Sequence, residues 1–118
     1  MHNFKKLEIW NKSMDFVTEI YKLTQTYPKH EVFGLCSQTQ RAACSIPLNI
    51  AEGSAKSSTK DFIRFLEIAF GSSHEVETAL IIARNLEYIS TDTLIEKQNK
   101  ITEIQKMIFK FKKSLNQE

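Results

Sequence analysis

Three histidines, two cysteines and a group of carboxylates are the side chains in this chain that could do chemistry. Glu67, His74, Glu75 and Glu77 lie close together in sequence, so acid–base work by paired carboxylates is the first chemistry to consider. On a helix, Glu67 and His74 would share a face but stand roughly 10 Å apart along the axis. A di-metal site in a helical bundle needs Glu-x-x-His on paired helices. That spacing is absent, HExxH is absent, and His2 and His30 add no ligand pattern. No metal and no cofactor is therefore expected. Cys36 and Cys44 are eight residues apart, roughly 12 Å on one helix, which is beyond the reach of a disulfide. They read as small, buried, reduced thiols, which suits a cytoplasmic protein. There is no Walker loop, no GxGxxG and no GxSxG elbow. The expectation is a protein that is not an enzyme. Were it one, the Glu67/His74/Glu75 neighbourhood, in a cleft between subunits, would be the site.

A second set of residues breaks helix rules within an otherwise helical pattern. Arg41, Ser45, Asn49 and Glu52 fall within roughly 80° of one another on a helical wheel, opposite the apolar Ala43, Ile46 and Ile50. Arg64, Glu67, Gly71 and Glu75 form a similar stripe further on. If the two segments fold back antiparallel, Arg41 comes level with Glu75, Ser45 with Gly71, Asn49 with Glu67, and Glu52 with Arg64. Gly71 would then allow close approach at Ser45. Pro47 removes the amide that would bond the Ala43 carbonyl and calls for a compensating neighbour or a kink. Glu52 near a helix C-terminus opposes the dipole and needs a cation or a donor. Gly53 is a suitable helix stop. These ten positions are the expected assembly residues, joining helix to helix or subunit to subunit.

Such stripes need long helices to carry them. Four are expected, over about 4–26, 31–52, 59–88 and 91–115. The first has two apolar seams, Leu7/Trp10/Met14/Val17/Tyr21 and Ile9/Phe16/Ile20/Leu23, roughly 110° apart. Two seams suggest two sets of neighbours, one in the chain's own bundle and one in a second subunit. Tyr27-Pro28 ends the first segment. The second follows Val32, Cys36, Thr39, Ala43, Ile46 and Ile50. After "SAKSST", with Ser58 or Thr59 as cap, the third runs Phe62, Leu66, Ala69, Ser73, Val76, Leu80 and Ala83 as a heptad seam. The fourth follows Leu94, Ile101, Ile104, Ile108, Phe111 and Leu115, with Lys97 the polar exception. Short connections make this an all-α, antiparallel up-and-down four-helix bundle in one domain, residues 1–118.

Composition agrees. With 42% hydrophobic and 25% charged residues the chain is globular rather than disordered, and three glycines with two prolines leave too few turn formers for a many-stranded sheet. No signal peptide is visible, and no stretch approaches the length of a membrane span. Net charge is +2, a mild excess that permits contact with RNA or DNA without demanding it. The candidates for phosphate contact are Lys5, Lys6, Lys12, Lys56, Lys60, Lys110, Lys112 and Lys113. The last three also complement the dipole of the fourth helix.

"RAACSIPLNIAEG" (Arg41 to Gly53) and "FIRFLEIAFGSSHEVET" (Phe62 to Thr78) resemble the bacterial four-helix-bundle proteins known as 23S rRNA-intervening-sequence proteins. "LEIWNKSMDFVTEIY" (Leu7 to Tyr21) is similar to that family's first helix, and the resemblance thins out after Leu86. It implies a bundle that assembles as a ring, commonly a homopentamer. It also implies kinship with the accessory protein of diversity-generating retroelements, in which a basic pentamer engages nucleic acid and a reverse transcriptase. Gln40 stands where family members often carry a second arginine, and Lys56 near where an arginine is common. The resemblance therefore implies a less basic surface here than in the accessory protein. The leading expectation is a non-enzymatic homo-oligomeric scaffold that contacts RNA or DNA. The alternative is a protein-interaction module, for instance for a nucleic-acid-processing partner, with an exposed apolar patch left by the second seam of the first helix.

Overall fold

The third helix shows most directly how this sequence builds its core. Phe62, Leu66, Ala69, Ser73, Val76, Leu80 and Ala83, at alternating spacings of four and three, are all buried along α3, Thr59–Asn85. The computed structural model describes residues 2–117. Its other helices are α1, Glu8–Thr24, α2, Leu35–Ser54, and α4, Thr91–Asn116; short 3-10 turns at Phe4–Lys6 and Lys29–Glu31 precede α1 and α2. Among the described residues there is no strand. The helices lie along a body 46 Å long and 24 by 20 Å across. α2 packs most extensively on α3, and of the α-helix pairs that touch, α1 and α4 meet least.

Local chemistry sets the helix ends. Ser58 caps α3 by accepting from the Asp61 amide at 3.1 Å, and Ser90 caps α4 through the Thr93 amide at 3.1 Å. α3 stops at Asn85, short of the expected Tyr88. Glu87 there adopts a left-handed φ of 64°, so Tyr88 N–H reaches the Ala83 carbonyl at 2.8 Å and Glu87 N–H the Arg84 carbonyl at 2.9 Å. That is a Schellman termination with a glutamate where glycine is usual. Gly53 is not the stop expected of it. α2 continues to Ser54, and buried Gly53 serves packing instead: a Cβ there would lie 2.8 Å from Phe62 Cδ1 and 2.8 Å from Phe65 Cβ. α2 also runs on through Pro47, whose ring is buried.

The two seams of α1 exchange the roles allowed for them. Ile9, Phe16 and Ile20 enter the core, whereas Met14 and Tyr21 of the other seam stay 41% and 43% exposed. Val32, expected at the head of the α2 seam, lies before the helix and is exposed, as is the adjacent Phe33. On α4 the polar exception Lys97 is buried, and its ammonium donates to Glu19 of α1 at 2.8 Å and to Glu96 at 3.0 Å. Burial alone would lower its pKa, but the two carboxylates outweigh that and raise it.

Candidate functional site

The two polar stripes come together, one residue out of the expected register. Ser45 does not meet Gly71. Its Oγ lies 2.7 Å from Oγ of Ser72, a buried residue outside the stripe. A Cβ at Gly71 would meet nothing within 4 Å, so no close approach depends on that glycine. Asn49 turns back along its own helix, donating to the Ser45 carbonyl at 2.8 Å and to Ser45 Oγ at 2.9 Å, and does not reach Glu67. Glu67 instead faces α4, with Lys112 Nζ at 3.6 Å. Arg64 lies 3.7 Å from Asp61 and 5.2 Å from the centre of the Phe65 ring, while Glu52 is exposed. Arg41 and Glu75 do come level, on the rims of an open groove of about 670 Å³ between α2 and α3. Among the described residues they form no ion pair. Side-chain length and rotamer decide which polar atoms touch, and hydroxyls close at 2.7 Å where longer chains at the same level splay apart.

Of the three residues considered for acid–base chemistry, two stay together and one turns away. Glu75 and His74 line the α2–α3 groove, and Glu67 points to α4. His74 Nδ1 lies 2.9 Å from the Phe70 carbonyl, with its ring edge-on to Phe70. Among the described residues, no group of three histidine, cysteine or carboxylate side chains could hold a metal ion. Both cysteines are free thiols, Cys36 buried and Cys44 half-buried against the Tyr21 hydroxyl at 3.6 Å. Gln40 bridges α2 to α1 by donating to Thr24 Oγ1 at 2.9 Å.

The phosphate-contact candidates gather more tightly. The His2 amide donates to the Ser54 carbonyl at 3.1 Å, and its ring packs edge-on against Phe62 at 5.2 Å and Phe111 at 6.0 Å. That contact brings the N-terminal turn, the α2–α3 connection and the last turns of α4 to one end of the molecule. Lys5, Lys6, Lys56, Lys60, Lys110, Lys112 and Lys113 are all carried by those segments. Two of the eight candidates are engaged elsewhere: Lys12 pairs with Glu103 at 3.0 Å, and Lys112 with Glu67. Lys56 sits 5.2 Å from the centre of the Phe65 ring, a cation–π contact that leaves its charge available. Lys5, Lys6, Lys60, Lys110 and Lys113 are exposed, with no ion pair among the described residues.

At the opposite end charges of both signs mix, with Lys22, Lys29, Arg84 and Lys97 among the carboxylates. Glu31, in the α1–α2 connection, accepts from the Tyr88 hydroxyl at 2.7 Å and from the Leu35 amide at 3.1 Å. These bonds hold its carboxyl below the usual range and clasp two connections together. Glu87, Asp92 and Glu96 lie nearby in sequence and element. The Glu31–Tyr88 clasp, the Lys97 cluster and the Ser72 hydroxyl were not legible beforehand. Only Lys97 left a signal, as a lysine on an apolar face.

The family profile described as "23S rRNA-intervening sequence protein" matches residues 5–110. No curated protein matches the sequence. Solved structures do, among them a protein of unknown function from the S23 ribosomal protein family of Bacteroides thetaiotaomicron. It is 30% identical, with a TM-score of 0.83 over 89% of this chain and 95% of that one.

Proposed function

This chain belongs to the 23S rRNA-intervening sequence protein family, and on that premise we propose a non-enzymatic, homo-oligomeric bundle whose basic end engages RNA or DNA phosphates. The observation that carries the reading is the collection of Lys5, Lys6, Lys56, Lys60, Lys110 and Lys113 from three separate segments at one end of an elongated body. Phosphate binding needs clustered cations whose charge is not already neutralised, and these six are not in carboxylate pairs among the described residues.

The helices run antiparallel, up and down, in this reading. Gly53 abutting Phe62 and Ser45 meeting Ser72 support that for α2 and α3. For α1 and α4 the support is Lys12 meeting Glu103 while Glu19 meets Lys97. Several such bundles join into a ring, for which the family resemblance implies five copies. Apolar side chains left exposed along the body, among them Met14, Tyr21, Leu48 at 66% and Ile68 at 46%, support contacts between copies. A ring repeats the basic end in each copy, so a modest charge per chain becomes an avid combined surface.

A second reading, a protein-interaction module without nucleic-acid contact, is favoured by Phe33, which is 97% exposed in the α1–α2 connection. Solution mass of the full chain, with and without a total-RNA pool at two salt concentrations, separates the two. The first reading expects an oligomer that shifts with RNA at low salt and loses it as salt rises. An oligomer indifferent to RNA leaves the second reading, and a monomer indifferent to RNA overturns the first entirely.

A further inference from the structure

The last three turns of α4 carry a pattern that the basic end alone does not require. From Ile104 to Gln117 no carboxylate occurs, while Lys106, Lys110, Lys112 and Lys113 do. Phe109 lies among them and is 51% exposed. The core residues of this stretch are Ile104, Ile108 and Leu115, with Phe111 packed against them, so Phe109 is not needed to complete the apolar seam. By the 100° step of a helix, Lys106, Phe109, Lys110 and Lys113 lie on the solvent side of α4. Lys112 Nζ lies 5.8 Å from the centre of the Phe109 ring. The nearby carboxylates, Glu103 and Glu67, are matched by Lys12 and Lys112.

We infer that this strip of α4 binds single-stranded nucleic acid, with Phe109 stacking on a base and Lys106, Lys110 and Lys113 contacting the flanking phosphates. A duplex hides its base faces within the stack, so lysines alone would bind either form. An exposed aromatic ring between cations adds energy only where a base is free to lie on it. The lysines sit three to four residues apart, roughly 5 Å along the axis. A flexible strand can match that spacing with successive phosphates. The inference rests on the nucleic-acid reading above and narrows it to one form of ligand and one helix face.

The test measures binding of the full-length chain to a labelled twenty-nucleotide oligouridine strand and to an RNA duplex of equal length, each at two salt concentrations. Phe109→Ala is expected to weaken single-strand binding about tenfold while leaving duplex binding nearly unchanged. Phe109→Trp retains the single-strand affinity, and its added fluorescence is quenched by the strand. Lys106→Gln and Lys110→Gln each lower the salt slope for the strand by about 0.7. Half-exposed Phe109 tolerates both replacements, and a thermal melt checks that they fold. Unchanged single-strand binding by Phe109→Ala, with the parent still binding, overturns the stacking site and leaves the basic end standing. Absence of binding by the parent at low salt overturns both. A change in oligomer mass on Phe109→Ala, without selective loss of the strand, assigns the ring to a protein contact and overturns the inference.

Discussion

Two glycines of the same type carry opposite structural demands, and this is testable at single residues. Gly53 lies under Phe62 and Phe65, where a methyl would stand 2.8 Å from the Phe65 Cβ. That atom cannot swing away, so the helices must part. Gly53→Ala is expected to cost about 1–3 kcal/mol in a urea melt, as overpacking does. Gly71 faces open space inside α3. Gly71→Ala replaces a flexible helical residue with the best helix former and should stabilise by up to about 1 kcal/mol. Reversed signs, with Gly53→Ala neutral or stabilising and Gly71→Ala destabilising, would refute the placement of both. Tyr27 offers a third case. Its ring is buried, its hydroxyl has no hydrogen-bond partner among the described residues, and burial pushes its pKa up to about 12. An unpaired buried hydroxyl costs about 1–3 kcal/mol, so Tyr27→Phe should be neutral or stabilising. A clear loss of stability on that change would mean the hydroxyl has a partner.

Between elements, the Glu31–Tyr88 clasp joins the α1–α2 and α3–α4 connections and gives them a pH dependence of known sign. The Tyr88 hydroxyl, then the Leu35 amide, favour the ionised carboxylate and hold Glu31 below its ordinary 4.5. The unfolded chain, lacking these donors, takes up a proton first as pH falls. The clasp's contribution is therefore fully present above 4.5 and is lost as pH drops through the lower, folded value. Melting temperature should separate the parent from Glu31→Gln at neutral pH and converge at strongly acid pH; curves that stay parallel would remove the clasp from the account. The sequence showed this level unevenly. The α3 seam was legible because seven positions in unbroken heptad register leave one face to bury. The α1 faces were not, since both seams are apolar at the same period, and only the packing of α2 and α4 selects Ile9, Phe16 and Ile20. The register of α2 on α3 was legible to within one residue. Helical rise fixes levels, but the Ser45–Ser72 hydroxyl pair, not the longer Arg41 or Glu75, fixes contact.

Across the whole molecule, a net charge of +2 conceals a gathering of lysines at one end. Positions 5, 6, 56, 60, 110 and 113 are scattered in sequence and become one surface only when three connections and termini meet, which composition cannot show. Counterion release makes the consequence measurable. Each phosphate neutralised contributes about 0.7 to the salt slope for a single strand and about 0.9 for a duplex. Lys56→Glu with Lys60→Glu, at the basic end, should lower that slope by about 1.4–1.8 and weaken binding most at low salt. Lys22→Glu with Lys29→Glu, at the opposite end, makes the same change in net charge. If net charge alone attracted the nucleic acid, the two double variants would behave alike. If the basic end is the interface, the second pair alters only long-range steering, which screening suppresses beyond about 8 Å at physiological salt, and its slope stays near the parent's. Equal losses in the two variants would show that the field of the whole protein, rather than one end of the bundle, holds the ligand.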